Sequence, residues 1–238
     1  DDYAHQLIHS FQKDHIDTSQ LMVDKDAKTG VAFVWVDMEG HNKCVCSLGV
    51  NARVTSQDVQ SYAHLFTDRS IVMTTLEHSS HLLDEISLMA RQNNCILIVD
   101  PSSKDYSKLT PEIAGRIDIL KPNEVETEML TGIRVETEED AVQAIHVLKD
   151  KGIRMPVISL GSRGVIYEYK GKATSVKGLR VNAVDTTAAG DTFIGSMAAK
   201  LSQGYSFQES IDYANRAAAY CVQHRGAQIS IPFEENVL

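Results

Sequence analysis

Between Ser70 and Leu160 the chain repeats one pattern, a short apolar run followed by a longer segment with helical spacing. The runs are Ser70 to Leu76, Cys95 to Asp100, Ile117 to Leu120 and Val157 to Leu160; the helical segments are Leu82 to Asn93, Asn123 to Leu130 and Thr137 to Lys151. A strand with one wet face alternates apolar and polar residues, whereas a run that is apolar throughout marks a strand covered on both faces. Covering both faces takes helices above and below the sheet. The pattern therefore predicts an α/β fold, a three-layer α/β/α sandwich around a mainly parallel sheet, with ligands bound outside the carboxyl ends of the strands.

The flanking segments complete this picture. Val165 to Tyr169 and Ala173 to Val176 form a hairpin about Lys170-Gly171-Lys172, and Val181 to Val184 reads as a further strand. Two long helices follow, Asp191 to Gln203 and Ser206 to His224, the second opened by a Ser206-to-Glu209 capping box. Upstream, Ala4, Leu7, Ile8 and Phe11 give a helical stripe. Residues 29–48 read as an apolar hairpin turning near Gly40, followed by a link, Leu48 to Ala52, and a capped helix from Thr55-Ser56-Gln57-Asp58 through Val59, Ala63 and Phe66. A hairpin this short of charge needs cover, from a ligand beneath it or from a second copy of the chain. The 238 residues are read as one domain, 1–238, with 29–48 as its small β appendage.

A formal net charge of −9 argues against nucleic acid or an anionic membrane surface as the main partner and leaves a small polar ligand as the better fit. No apolar run reaches the roughly 18 residues of a membrane span, so the expectation is a soluble, cytoplasmic protein. The cysteines, Cys44, Cys46, Cys95 and Cys221, lie in apolar stretches without zinc-type spacing and read as buried reduced thiols.

Several polar residues fall at the predicted carboxyl ends of strands: Glu77, then Asn123 and Glu126, then Gly161-Ser162-Arg163-Gly164, then Asp185 to Asp191. In the last segment, Asp185-Thr186-Thr187-Ala188-Ala189-Gly190-Asp191-Thr192-Phe193, small residues lead into an acid and then a helix. The N-terminus of a helix presents unbonded N–H groups and a partial positive charge, and Ala188, Ala189 and Gly190 have too little side chain to keep an anion from them. Asp191 would stand beside that anion as a carboxylate able to accept a proton. An anion site, two carboxylates and a glycine loop on one rim suit phosphoryl transfer. Each signal taken alone also has an ordinary reading: Asn123 and Glu126 as a helix start, Gly161 and Gly164 as a tight turn, Asp191 as a complement to the helix dipole. Neither a Gly-x4-Gly-Lys-Ser/Thr loop nor a Gly-x-Gly-x-x-Gly fingerprint is present.

Asp185 to Phe193 resembles the C-terminal signature of the ribokinase-like (phosphofructokinase-B type) sugar kinases, and Pro122-Asn123-Glu124-Val125-Glu126 resembles their Asn-x-x-Glu motif. Leu48 to Ala52, Leu130 to Glu136, Leu160 to Val165 and Arg225 to Ser230 match in the same order, so the resemblance spans essentially the whole chain.

The resemblance implies ATP-dependent phosphorylation of a small sugar, D-ribose at its 5-hydroxyl being favoured. In that scheme Asp191 is the general base, and the amides of Ala188, Ala189, Gly190 and Asp191 form the anion hole. Asn123 and Glu126 organise the phosphates and a hydrated Mg²⁺. Ser159, Leu160, Gly161, Ser162, Arg163 and Gly164 line the ATP site, with Asn215 near the adenine, and Glu77 binds the sugar. Asp185, Thr187, Cys221, His224, Gly226 and Ser230 surround an activating K⁺. The hairpin 29–48 becomes a lid that joins two chains in a homodimer. Other acceptors of the same family, such as a nucleoside or another sugar, stay open.

Family members begin with a strand carrying a sugar-binding Asp and a Gly-Gly-x-Gly-x-Asn segment, neither of which occurs here. The expectation is that roughly a fifth of a family-length chain lies upstream of Asp1. A non-catalytic, nucleotide-binding remnant is the reading that this departure keeps open.

Overall fold

A computed structural model describes residues 1–36, 42–103 and 105–237, with backbone alone at 34, 36 and 42–44. The chain divides into two compact units, Asp1–Asp58 and Val59–Leu238.

In the first unit, helix α1 (Asp2–Lys13) starts at Asp1, whose carboxylate accepts the Ala4 amide at 3.0 Å. The same carboxylate accepts the amide and hydroxyl of Thr29, which ties the helix start to the approach of the hairpin. Strands β1 (Val31–Val36) and β2 (Asn42–Ser47) pair antiparallel, with Val31 opposite Ser47 and Val36 opposite Asn42. Their expected turn at Gly40 lies outside the described residues. Phe33, Trp35 and Val45 are exposed, and so is Cys46, which corrects the expectation of a buried thiol there: a two-stranded sheet has no second layer of its own to bury them. Helix α2 (Ser56–Ser61) begins at reciprocal bonds between Thr55 and Asp58 and is shorter than its apolar spacing suggested.

The second unit holds a six-stranded sheet in which spatial order follows chain order: β3 (Ile71–Thr75), β4 (Ile96–Asp100), β5 (Ile119–Leu120), β6 (Met155–Ser159), β7 (Gly164–Tyr169) and β8 (Lys172–Lys177). The first four run parallel, and β7 and β8 add an antiparallel hairpin at the edge. Helices α3 (Ser80–Gln92), α4 (Pro111–Ala114), α5 (Glu124–Thr131) and α6 (Glu138–Asp150) connect the parallel strands. Helices α7 (Ala189–Ser202) and α8 (Phe207–Cys221) follow the sheet in sequence.

Side chains of successive strand residues point to opposite faces, and both faces are dry. Leu97 and Val99 of β4 join Leu83 and Ala90 of α3, Leu130 of α5 and Leu148 of α6 in one core. Ile98, between them, joins Val157, Val165 and Tyr167 in a second core with Phe193, Ile194 and Met197 of α7 and Ile211 and Ala214 of α8. Ile158 and Ile166 turn to α6 instead, against Ala141, Ala144 and Ile145. Three layers result, as the wholly apolar runs implied. Truncating any of these large side chains to Ala costs about 2–5 kcal/mol.

Two strand expectations need correction. Ile117 to Leu120 contributes only Ile119 and Leu120 to the ladder, and ahead of them the Asp118 carboxylate accepts the Leu97 amide at 2.9 Å. Val181 to Val184 is not a strand. Val181 and Val184 are exposed, and the amides of Val184 and Asp185 both turn to the Val222 carbonyl at the end of α8 (2.7 and 3.2 Å), so this segment is fixed to a helix end and not to the sheet. Among the described residues no helix is long and apolar enough to cross a membrane.

Candidate active site

The carboxyl ends of β3 to β6 share one rim because the strands are parallel, and β8, antiparallel to β7, also ends there. From that rim opens a cavity of about 670 Å³, within the range usual for small-molecule sites. Its walls come from four places: Lys121 and Asn123 to Val125 after β5, Ser159, Gly161, Ser162 and Gly164 after β6, the segment 178–183 after β8, and α7 with α8. Of the residues singled out from sequence, Asn123, Ser159, Gly161, Ser162, Gly164, Ala189, Gly190 and Asn215 meet here.

Asn123 caps α5. Its side chain accepts the Glu126 amide (2.9 Å) while the Glu126 carboxylate accepts the Asn123 amide (2.8 Å), a capping box that sets both side chains at the rim. Partial burial pushes the Glu126 carboxyl above its usual range; the Asn123 amide opposes this, Asp100 adds to it and Lys121 opposes it. The helix-start reading of these two residues is thus correct, and of the pair Asn123 lines the cavity while Glu126 does not.

The turn Gly161–Arg163 reverses the chain between β6 and β7. Arg163 fixes its outer side, donating to Glu124 Oε1 (2.6 Å), the Glu136 carbonyl (2.6 Å) and the Val135 carbonyl (3.0 Å). Leu160 is buried in the core behind the turn, so neither it nor Arg163 lines the cavity. Gly164 has φ +100°, and a β-carbon there would stand 2.0 Å from the Val176 carbonyl oxygen. Only glycine fits.

Helix α7 starts without a side-chain cap, on Ala188 in the left-handed region at φ 62°. That conformation costs an alanine about 1–2 kcal/mol. The Ala189 amide turns to the Thr186 carbonyl (3.3 Å), while among the described residues no acceptor engages the amides of Gly190 and Asp191. Asp191 is exposed at the third helical position, and Gly190 beside it lines the cavity. An uncapped N-terminus of a fourteen-residue helix opening onto a cavity can hold an anion on its N–H groups.

Behind this start lies a second cluster. The Asp185 carboxylate accepts the amides of Thr187 (2.9 Å) and Gly226 (3.0 Å), which hold its carboxyl down to about 2. Cys221 is buried, 3.1 Å from Ser230 Oγ, and its thiol points to the Thr187 carbonyl at 3.6 Å. The His224 ring is engaged by the Tyr220 carbonyl (2.9 Å) and stacks on Tyr220. Asp185, Thr187, Cys221, Gly226 and Ser230 are therefore linked to one another, apart from the cavity lining. Their oxygens, one carboxylate, two hydroxyls and backbone carbonyls, are of the type a hard monovalent cation takes. Among the described residues no three His, Cys, Asp or Glu side chains gather as a metal cage.

Glu77 is exposed after β3, its amide on Thr75 Oγ1 (3.2 Å), and does not line the cavity. The sequence reading missed Lys121 and the apolar wall formed by Leu179, Val181, Ala183, Ala218, Ala219 and Val222. A lysine ending a wholly buried strand, directly before Pro122-Asn123, was the available signal.

Comparison with known proteins agrees with this geometry. The pattern of the pfkB family carbohydrate kinases matches residues 1–234. The chain belongs to the pfkB family of carbohydrate kinases. The chain is 34% identical over 232 residues to a ribokinase of Haemophilus influenzae, covering 98% of this chain and 75% of that one. The crystal structure of ribokinase from Thermotoga maritima superposes with a TM-score of 0.86 at 31% identity, over 100% of this chain and 76% of the other. A structure of Arabidopsis thaliana ribokinase complexed with ribose and ATP superposes with a TM-score of 0.77 at 28% identity, over 89% and 69%. At the level of the family, the activity is ATP-dependent phosphorylation of a sugar.

Proposed function

We propose that this kinase transfers the terminal phosphate of ATP to the 5-hydroxyl of D-ribose, with the nucleotide in the cavity between α5, the Gly161–Gly164 turn and α8. The observation that carries this reading is the open start of α7, where Gly190, its amide without an acceptor among the described residues, lines the cavity and is followed at once by the carboxylate residue Asp191.

The apolar wall of Leu179, Val181, Ala218, Ala219 and Val222 suits a flat base, and Asn215, whose amide nitrogen already donates to the Lys177 carbonyl (2.9 Å), would stand near the adenine. The Gly190 and Asp191 amides would meet the charge on the transferring phosphoryl group, and a donor already in place costs no reorganisation as that charge develops. Asp191 would accept the proton of the attacking hydroxyl, and Glu77 would hydrogen-bond the sugar. The carboxylate–amide box of Asn123 and Glu126 fits a hydrated magnesium ion, since the box leaves Glu126 Oε1 unengaged by the cap. Such an ion, when bound, neutralises phosphate charge. The oxygens linked around Asp185 fit a potassium ion that would fix the start of α7. Exposed Phe33, Trp35 and Val45 support a second copy of the chain as the partner of the hairpin.

The test is a coupled assay of ADP release with D-ribose, 2-deoxy-D-ribose, a ketose and a nucleoside as acceptors, with and without potassium. The expected outcome is the highest kcat/KM with D-ribose and stimulation by potassium. Preference for another acceptor would move the assignment within the family. Nucleotide binding with no turnover of any acceptor would favour a non-catalytic nucleotide-binding protein.

A further inference from the structure

Lys121 is 4% exposed, although lysine is almost never buried without a purpose for its charge. Its backbone extends the β5 ladder, the amide donating to the Val99 carbonyl at 3.2 Å, and this places it alongside Asp100 at the end of β4. Lys121 Nζ lies 3.2 Å from Asp100 Oδ2. The other oxygen of Asp100 accepts the amide and hydroxyl of Ser102, so the carboxylate is fixed with one oxygen left for the lysine. An ammonium has three donors, and among the described residues no second carboxylate pairs with this one.

The position of that ammonium is specific. It lines the cavity with Asn123 and Gly190, and a β-carbon placed on Gly190 would stand 3.0 Å from Nζ. Gly190 is absent from the residues with positive φ, so its lack of a side chain serves space and not backbone conformation. The space is occupied by the lysine head group. The electrostatics of Glu126 place the same two charges near the third rim residue, since Asp100 raises its carboxyl and Lys121 lowers it. A buried pair with unfilled donor capacity is a costly arrangement in an otherwise apolar interior. An anion arriving at the start of α7 would complete it.

We propose that Lys121, held by Asp100, contacts the terminal phosphate of the bound nucleotide at the start of α7 and stays with the phosphoryl group during transfer. This rests on the phosphoryl-transfer reading above. In the step, the bond from the acceptor oxygen to the terminal phosphorus forms and the bond from that phosphorus to the bridging oxygen of the leaving diphosphate breaks. The acceptor's proton goes to Asp191, and Lys121 keeps all of its own. Its role is that of a compact positive charge in a water-poor site, where it acts more strongly than in solvent.

A contact to the terminal phosphate distinguishes ATP from ADP, and a merely structural lysine does not. Calorimetry with Mg-ATP and Mg-ADP, beside steady-state kinetics, is therefore run on wild type, Lys121→Met, Lys121→Arg and Asp100→Asn. In Lys121→Met the expected results are ATP binding weakened about tenfold or more, ADP binding changed less than about twofold, and kcat lowered about 10²- to 10³-fold, the range for loss of one anion-hole donor. Lys121→Arg should regain part of the ATP-over-ADP preference, and Asp100→Asn should lose part of it. If Lys121→Met fails to fold, the Asp100→Asn preference decides in its place. An unchanged preference with undiminished kcat overturns the lysine assignment alone. A wild-type protein that binds neither nucleotide overturns the phosphoryl-transfer reading with it.

Discussion

The carboxylate of Asp185 accepts the backbone amide of Gly226 at 3.0 Å, across 41 residues of sequence, and thereby joins the loop before α7 to the loop after α8. The same carboxylate takes the Thr187 amide, so one side chain sets the approach to the proposed anion hole from both directions.

These bonds hold the Asp185 carboxyl at about 2, below the roughly 3.9 of an unfolded chain. Between those values the unfolded state binds more protons than the folded one, so stability falls as pH falls. The contribution is complete above about pH 4 and lost as pH drops through about 2. Asp185→Asn should be less stable than wild type at neutral pH, and urea titrations at a series of pH values should show that gap narrowing between pH 4 and pH 2. A gap that stays constant across that range would remove Asp185 from the account of acid sensitivity.

Gly164 gives the sharpest stability prediction. With φ +100° and a β-carbon 2.0 Å from the Val176 carbonyl oxygen and 2.4 Å from the Gly178 nitrogen, Gly164→Ala must shift β7 against β8. The expected loss is more than about 2 kcal/mol in chemical denaturation, with weaker nucleotide binding because both strands lead into the cavity. A loss under about 0.5 kcal/mol would mean that the hairpin yields without cost.

Tyr167 is fully buried, and its hydroxyl has no hydrogen-bond partner among the described residues. Leaving a buried hydroxyl unpaired costs about 1–3 kcal/mol. Tyr167→Phe keeps the ring's edge contact with Phe207 (centroids 5.4 Å apart) and removes only the oxygen. It should be neutral or stabilising by up to about 2 kcal/mol in thermal melts, and clear destabilisation would reveal a partner for the hydroxyl.

Most of the fold was legible because burial on two faces leaves a direct mark on a strand: Ile98 and Val99, like Val157 and Ile158, are consecutive apolar residues that point to opposite faces, and each faces a helix. What misled was a local likeness. Val181 to Val184 has the composition of a strand, yet the carbonyl that holds it comes from Val222, and no pattern within the segment carries that distant partner. The site followed the same division. Asn123, Gly161 and Gly190 were visible in sequence motifs and Asn215 only through the family resemblance, whereas the value of Lys121 depends on two neighbours, Asp100 and Gly190, brought to it by the sheet and by α7. Glu77 shows the reverse case, a residue at the expected rim that lies outside the cavity lining.

The most direct test of the account is turnover of D-ribose and ATP by wild type and by Asp191→Asn, with the fold of both checked by circular dichroism and ATP binding by calorimetry. General-base catalysis contributes about 10²- to 10⁴-fold, so kcat should fall by at least 10² while ATP affinity and fold are retained. Undiminished turnover in the folded variant would contradict Asp191 as the base and, with it, the start of α7 as the place where the phosphoryl group is transferred.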